Sequence, residues 1–117
     1  MGAMESCVFC RIVKGELPAT VVFESESVIA FDDIHPMAPV HVIIIPKRHI
    51  ATLMDLDDKG LDIMRDITRA AQEVARKKGV DASGFRMAIN CNKEGGQLIF
   101  HLHAHLLGGE QLDDRMG

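Results

Sequence analysis

The stretch His101-Leu102-His103-Ala104-His105-Leu106-Leu107 places three imidazoles in strict alternation with apolar residues. On an extended chain, successive side chains point to opposite faces. The three histidines therefore share one face, about 6–7 Å apart in steps of two residues. Leu102, Ala104 and Leu106 take the other face, toward a core. Three of the chain's six histidines fall within these five residues. Burying three imidazoles without use would leave several donors and acceptors needing partners. Two chemical uses fit. The histidines can hold a catalytic metal with an open position, or one neutral imidazole can attack phosphorus while its neighbours orient it and protonate a leaving group.

Just upstream runs Asn90-Cys91-Asn92-Lys93-Glu94-Gly95-Gly96-Gln97. Paired glycines let backbone N–H groups approach an anion closely. A Gly-Gly-Gln leading directly into the histidine run sets such donors beside a nucleophile, which favours phosphate chemistry over metal hydrolysis.

Working outward, the pattern reads as a single α+β domain. Cys7 to Lys14 is a short helix or turn ended by Gly15, and Thr20–Glu24 and Val28–Asp32 form a hairpin around Ser25-Glu26-Ser27. Val40 to Ile45, closed by Pro46, is a β-branched run expected at the centre of a sheet. Asp55 is the expected N-cap of a long helix, with Asp57 and Asp58 in its first turn. Leu56, Ile63, Ile67, Ala70, Ala71 and Val74 then recur at helical spacing up to Gly79. Phe85–Cys91 and Ile99–Leu107 complete about five antiparallel strands, with Cys91 expected as a buried strand residue. Strand edges and a second helix stripe (Leu61, Met64) are left for a second copy, so a homodimer is expected.

The 117 residues suit one compact domain, with 47% hydrophobic and 26% charged residues. There are five Phe and no Trp or Tyr, so a base pocket must rest on Phe and aliphatic side chains. The net charge of −4 and a pI near 5.8 point away from nucleic acid as a partner. The densest basic cluster, Arg76-Lys77-Lys78, suits a helix C-terminus. The longest apolar run, 40–46, is far short of the roughly 20 residues that span a bilayer, so no membrane partner is expected. Three cysteines and no signal-peptide pattern indicate the cytoplasm. Met1-Gly2-Ala3 reads as a leftover of cloning, which places the domain at residues 4–117.

The run His101 to Leu107 resembles the signature of the histidine triad family, His-φ-His-φ-His-φ-φ. The likeness continues through Val8-Phe9-Cys10-Arg11-Ile12-Val13, Leu17-Pro18-Ala19, Phe31-Asp32-Asp33-Ile34-His35-Pro36, Ala38-Pro39-Val40-His41-Val42 and Ile45-Pro46-Lys47-Arg48-His49, in the order of the family's Hint branch. It implies a homodimeric α+β domain that acts at the α-phosphate of nucleoside 5′-phosphoramidates or related AMP or GMP conjugates, as a purine nucleoside phosphoramidase does. By the same resemblance, His103 is the nucleophile that becomes a nucleotidyl-histidine. His105 and the backbone near Gly96 and Gln97 contact the phosphate, and His41 supports the triad. Asp33 matches the ribose-binding position, Val8, Phe9, Phe31 and Ile34 the base pocket, and Asn90 a polar residue beside the phosphate. His35 has no matched role and reads as surface.

Leu98 departs from the branch, where Ser or Thr is common. Leucine cannot donate a proton to a leaving group, so slower turnover of phosphoramidates is expected. The chain also lacks a Trp near its C-terminus, which puts in doubt the C-terminal contribution to substrate choice seen in some relatives.

Cys7-Val8-Phe9-Cys10 is by itself ambiguous between half a zinc site, a redox pair and chance. Bacterial members of the family carry this pair with the His of Pro-Lys-x-His and the first triad His. Here the resemblance gives Cys7, Cys10, His49 and His101 as ligands of a structural zinc. His101, otherwise counted among the catalytic histidines, could not then act as acid or base. No organic cofactor is expected. Two other classes stay open: a nucleotide-binding or scaffold protein with vestigial catalysis, and a zinc-dependent hydrolase. Chelation would stop the last at once.

Overall fold

In a computed structural model that describes residues 6–114, the chain forms helix α1 (Val8–Val13), strands β1 (Val21–Glu24), β2 (Val28–Asp32) and β3 (Val40–Pro46), helix α2 (Asp62–Lys78), and strands β4 (Phe85–Ala88) and β5 (Ala104–Gly108). Met1 to Ala3 lie outside the described residues. The five strands make one antiparallel sheet in the order β1-β2-β3-β5-β4, with β3 at its centre as its β-branched run predicts.

The two faces of the sheet are covered by different helices. Val28, Ala30, Val42, Ile44, Ala104 and Leu106 face α2 and pack against Ile67, Ala70, Ala71, Val74 and Ala75. The alternate residues Ile29, Phe31, Ile43 and Ile45 face the other way and pack under Phe9 of α1. β2 and β3 are thus buried on both sides, which explains why they lack polar alternation. Phe9 and Phe31, the two aromatics of this second core, meet edge to face at 5.7 Å.

The long helix starts later than Asp55 predicts. Asp55 instead closes a capping box on a 3-10 turn, Leu53–Asp55: its Oδ2 accepts the Thr52 N–H at 3.0 Å, and Thr52 Oγ1 accepts the Met54 N–H. Asp57 then folds back, taking the Gly60 N–H on Oδ1 at 2.6 Å. These local side-chain bonds compete with helix hydrogen bonding, so Leu56 to Gly60 stay outside the helix. The C-terminal end is as expected: Gly79 adopts φ 72°, its N–H caps Ala75 and Arg76, and Arg76, Lys77 and Lys78 occupy the last turn. Met64 packs against the main core instead of standing free, whereas Leu61 is exposed. No helix among the described residues is long and apolar enough to cross a membrane.

Candidate functional site: two histidine clusters on one face of the sheet

The histidine run is only partly a strand. β5 begins at Ala104, so His105 lies in the ladder opposite Ile43, while His101 and His103 precede it on irregular chain. The alternation nevertheless persists. Leu102, Ala104 and Leu106 are buried under α2, and the imidazoles lie on the α1 side with His41, which shares the face of Ile43 and Ile45 on β3. Departing from the strand lets the chain fold inward at its N-terminal end, where Leu102 N–H bonds the Ile50 carbonyl at 2.6 Å.

Hydrogen-bond partners decide which ring nitrogen of each imidazole carries the proton, backbone carbonyls for His101 and His103. His101 Nε2 lies 2.8 Å from the Pro46 carbonyl, which can only accept. Its Nδ1 therefore offers a lone pair, and it faces Cys7 Sγ at 3.4 Å and Cys10 Sγ at 3.5 Å. His103 is set the opposite way: its Nδ1 donates to the His101 carbonyl at 2.7 Å, leaving the lone pair on Nε2. His41 Nδ1 accepts the Met37 N–H at 3.0 Å, so its Nε2 carries the proton. That nitrogen sits 2.9 Å from His105 Nδ1 and 3.3 Å from Asp33 Oδ2. With Nδ1 of His105 accepting, its Nε2–H is free to donate.

Burial favours the neutral form of the three triad rings. It pulls His101 down to about 4, and pulls His105 down to about 4 with help from the neighbouring His103 and His41. His103 is lowered for the same first reason. A neutral imidazole with its Nε2 lone pair exposed is a nucleophile at pH 7. Phe9 and His105 each meet the His103 ring edge-on, with centroids at 5.1 and 5.0 Å, so the ring is held by both.

His103, His105 and His41 open onto a cavity of about 710 Å³. Val8, Phe9, Phe31 and Ile34 line its apolar part, and Asp33, Asn90 and Gly96 its polar part. Nine of the ten nucleotide-contacting residues expected from sequence line this cavity. Gln97 is the exception. It is buried, its Nε2 donates to the Ala51 and Ile99 carbonyls, and its Oε1 accepts the Asn92 N–H. The N–H groups of Gly96 and Gln97, expected to face a phosphate, bond the Lys93 and Asn92 carbonyls at 3.0 and 3.1 Å. They close the loop, so these two amides are engaged within it, while the imidazoles and Asn90 face the cavity. Gly95 is needed sterically, because a Cβ there would drive into the Cys91 carbonyl. Cys91 is half-buried and lies beyond the end of β4. His35 is exposed, as expected of a surface residue, although it stands at the cavity rim.

Sequence reading misses Met37, whose amide orients His41. Its only signal is its place in the Pro36–Pro39 loop. The reading also misses the Pro46 carbonyl, since backbone acceptors leave no trace in residue type.

On the closed side of the same face, Cys7, Cys10, His49 and His101 bring one ligand atom each to within 4.8 Å of one another. Cys10 Sγ lies 3.1 Å from His49 Nδ1. These separations approach the roughly 3.5 Å S···N edge of a tetrahedral zinc site with bonds of about 2.3 and 2.0 Å. His101 is fully buried, and its orienting bond to the Pro46 carbonyl is the second-shell contact a ligating imidazole needs. Burial, then the Cys7 side chain, pushes the Cys10 thiol up to about 11, an arrangement a divalent cation would reverse. The four residues fit a closed metal site. Asp33, His41 and His105 also converge, but protonated His41 Nε2 has no lone pair to give a metal.

The HIT domain family model matches residues 14–112. The chain belongs to the HIT family. A purine nucleoside phosphoramidase of Escherichia coli K12 is 36% identical over 108 residues, covering 92% of this chain and 91% of that protein. Among solved HIT structures, a HIT family hydrolase from Clostridium thermocellum superposes with a TM-score of 0.93 at 48% identity, covering 96% of this chain and 97% of the other. A zinc-bound histidine triad family protein from Mycobacterium smegmatis has a TM-score of 0.78 at 34% identity, covering 95% and 80% of the two chains. The family assignment agrees with the α+β fold and the five-stranded antiparallel sheet.

Proposed function

We propose that this HIT protein hydrolyses nucleoside 5′-phosphoramidates or related nucleotide conjugates through a nucleotidyl-His103 intermediate. The observation that carries the proposal is the pair of opposed tautomers: His103 Nδ1–H held by the His101 carbonyl, and His41 Nε2–H directed at His105 Nδ1. His103 Nε2 attacks the α-phosphorus as the bond to the leaving nitrogen breaks. His105 Nε2–H supplies the proton that the leaving amine takes away. Water then attacks phosphorus, returning a proton to His105 Nε2 as the phosphorus–His103 bond breaks, and releases the nucleoside 5′-monophosphate and neutral His103. In this reading Val8, Phe9, Phe31 and Ile34 hold the base, Asp33 the ribose hydroxyls, and Asn90 and His105 the phosphate oxygens. His41 orients His105, and His101 is a metal ligand whose carbonyl orients His103.

Cys7, Cys10, His49 and His101 would hold a structural zinc, which ties α1 to the sheet and supplies no step of the reaction. The protein works as a homodimer of domains spanning 4–117. The exposed edge strand β4, with Phe85 and Met87, and the exposed Leu61 support this assembly. Three unpaired thiols suit a reducing cytoplasm.

The test is single-turnover mixing with adenosine 5′-phosphoramidate followed by intact-mass measurement. A transient gain of one AMP moiety on native protein, absent in His103→Ala, is expected. Binding of AMP with neither adduct nor product would leave a nucleotide-binding protein without catalysis.

A further inference from the structure

The floor of the cavity carries His103, and large apolar side chains stand exposed at its mouth beside His35. Leu98 is 90% exposed, Ile34 84% and Met37 78%, and all three line the cavity that holds His103. Two of them are fixed by their neighbourhood. Leu98 stands between Gln97, locked by its bonds to the Ala51 and Ile99 carbonyls, and Ile99, which packs against the second core. Met37 is held by its N–H on His41 Nδ1. An exposed leucine is unremarkable alone, but large apolar side chains converging at the entrance of one concave site mark a ligand surface.

The charge pattern narrows the ligand. Among the described residues that line this cavity none is Lys or Arg, and the only carboxylates are Asp32 and Asp33. Asp32 is paired with Lys78 at 2.9 Å, and Asp33 faces His41. A carboxylate or phosphate on the leaving group would meet no lysine or arginine among the residues that line this cavity. Direction matters as well. His103 is buried at the floor, backed by Phe9, and displacement at phosphorus sends the leaving group away from the attacking nitrogen. Away from His103 is toward the mouth, where Leu98 and Met37 lie.

We propose that Leu98 and Met37 form the leaving-group subsite, and that it selects conjugates whose leaving amine carries an uncharged apolar chain. The inference rests on the hydrolytic reading above. The departing nitrogen takes its proton from His105, so Leu98 contributes apolar contact and no proton.

The experiment compares kcat/KM for two adenosine 5′-phosphoramidates of nearly matched amine basicity, the N-butyl amide and the N-(3-carboxypropyl) amide, with adduct formation followed by mass. Native protein is expected to favour the butyl amide at least ~10-fold. Leu98→Lys should bring that ratio to about 1 or invert it. Because residue 98 is solvent-exposed, an unchanged melting temperature is expected to show that the variant is folded. Comparable turnover of both amides by native protein, each forming the adduct, overturns the subsite and leaves the hydrolytic reading intact. A preference that Leu98→Lys does not alter overturns it too. Failure of native protein to form an adduct or product with either amide overturns both readings.

Discussion

His101 and His103 are two residues apart and belong to the same sequence pattern, yet they sit in opposite surroundings. His101 is sealed among two thiols and a second imidazole, while His103 opens on a cavity. The difference comes from which nitrogen a carbonyl engages. Pro46 takes Nε2–H of the first and turns Nδ1 toward the sulfurs; the His101 carbonyl takes Nδ1–H of the second and turns Nε2 toward the cavity. An imidazole's role is thus assigned by its neighbour's backbone, not by its place in the triad. The clusters also touch. Phe9, between Cys7 and Cys10, rests on both rings, at 5.9 Å from His101 and 5.1 Å from His103.

Separating the two clusters experimentally is the way to break this comparison. Removing His103 should cost the open cluster nearly everything: His103→Ala is expected to lower kcat/KM at least ~10⁴-fold, with the metal content of purified protein unchanged. Loss of metal in that variant would mean the clusters are one unit. On the closed side, Cys10→Ser should abolish metal retention, read by elemental analysis. It should also cost about 2–3 kcal/mol, or roughly 10 °C in Tm. An unaltered Tm would show that the thiols hold nothing structural.

Smaller effects sharpen the boundary. Asp33 contacts His41 and the cavity but not the nucleophile, so Asp33→Asn is expected to raise KM about tenfold with little change in kcat. A fall confined to kcat would place Asp33 in orienting His41 instead. Acid should reach the open cluster late. Burial lowers His103 and takes His105 to about 4, so kcat/KM should hold farther below pH 6.5 than an ordinary imidazole allows; a fall centred near 6.5 would count against it. An ordinary imidazole near 6.5 would cost roughly thirtyfold by pH 5. Least affected should be the rate after chelation. At 20 °C, well below unfolding, we expect it to stay within about threefold of native while Tm falls, since the closed site offers no open coordination position. Immediate loss of all activity would instead support metal-dependent hydrolysis.

Much of this was legible in residue type and spacing because both periods are local. Alternation in 101–107 fixed which side chains face the core, and the i, i+4, i+7 series to Val74 with Gly79 beyond it located the long helix and its end. The start of that helix was not legible. Asp55 is a good N-cap by type, and only the capping box with Thr52 shows that it serves a different turn. Gly96 and Gln97 were similarly ambiguous, because a Gly-rich loop either offers its amides to a ligand or uses them on itself, and here it uses them.

The sequence by itself determined the family, the α+β order of elements, the face on which the imidazoles stand and the four residues able to hold a metal. The order of elements and the imidazole face follow from periodicity and residue chemistry, which are properties of neighbours along the chain; the family and the four ligands follow from the likeness of motifs spread along it. Tertiary structure alone decided the direction of His101, the double burial of β2 and β3 beneath two helices, and the outward stance of Leu98. Each of these depends on a partner far away in sequence: the Pro46 carbonyl for His101, 55 residues distant, the α1 aromatic for the second core, and the Ala51 carbonyl that anchors Gln97 beside Leu98. Hydrogen-bond direction and solvent exposure are set only when such partners meet in space.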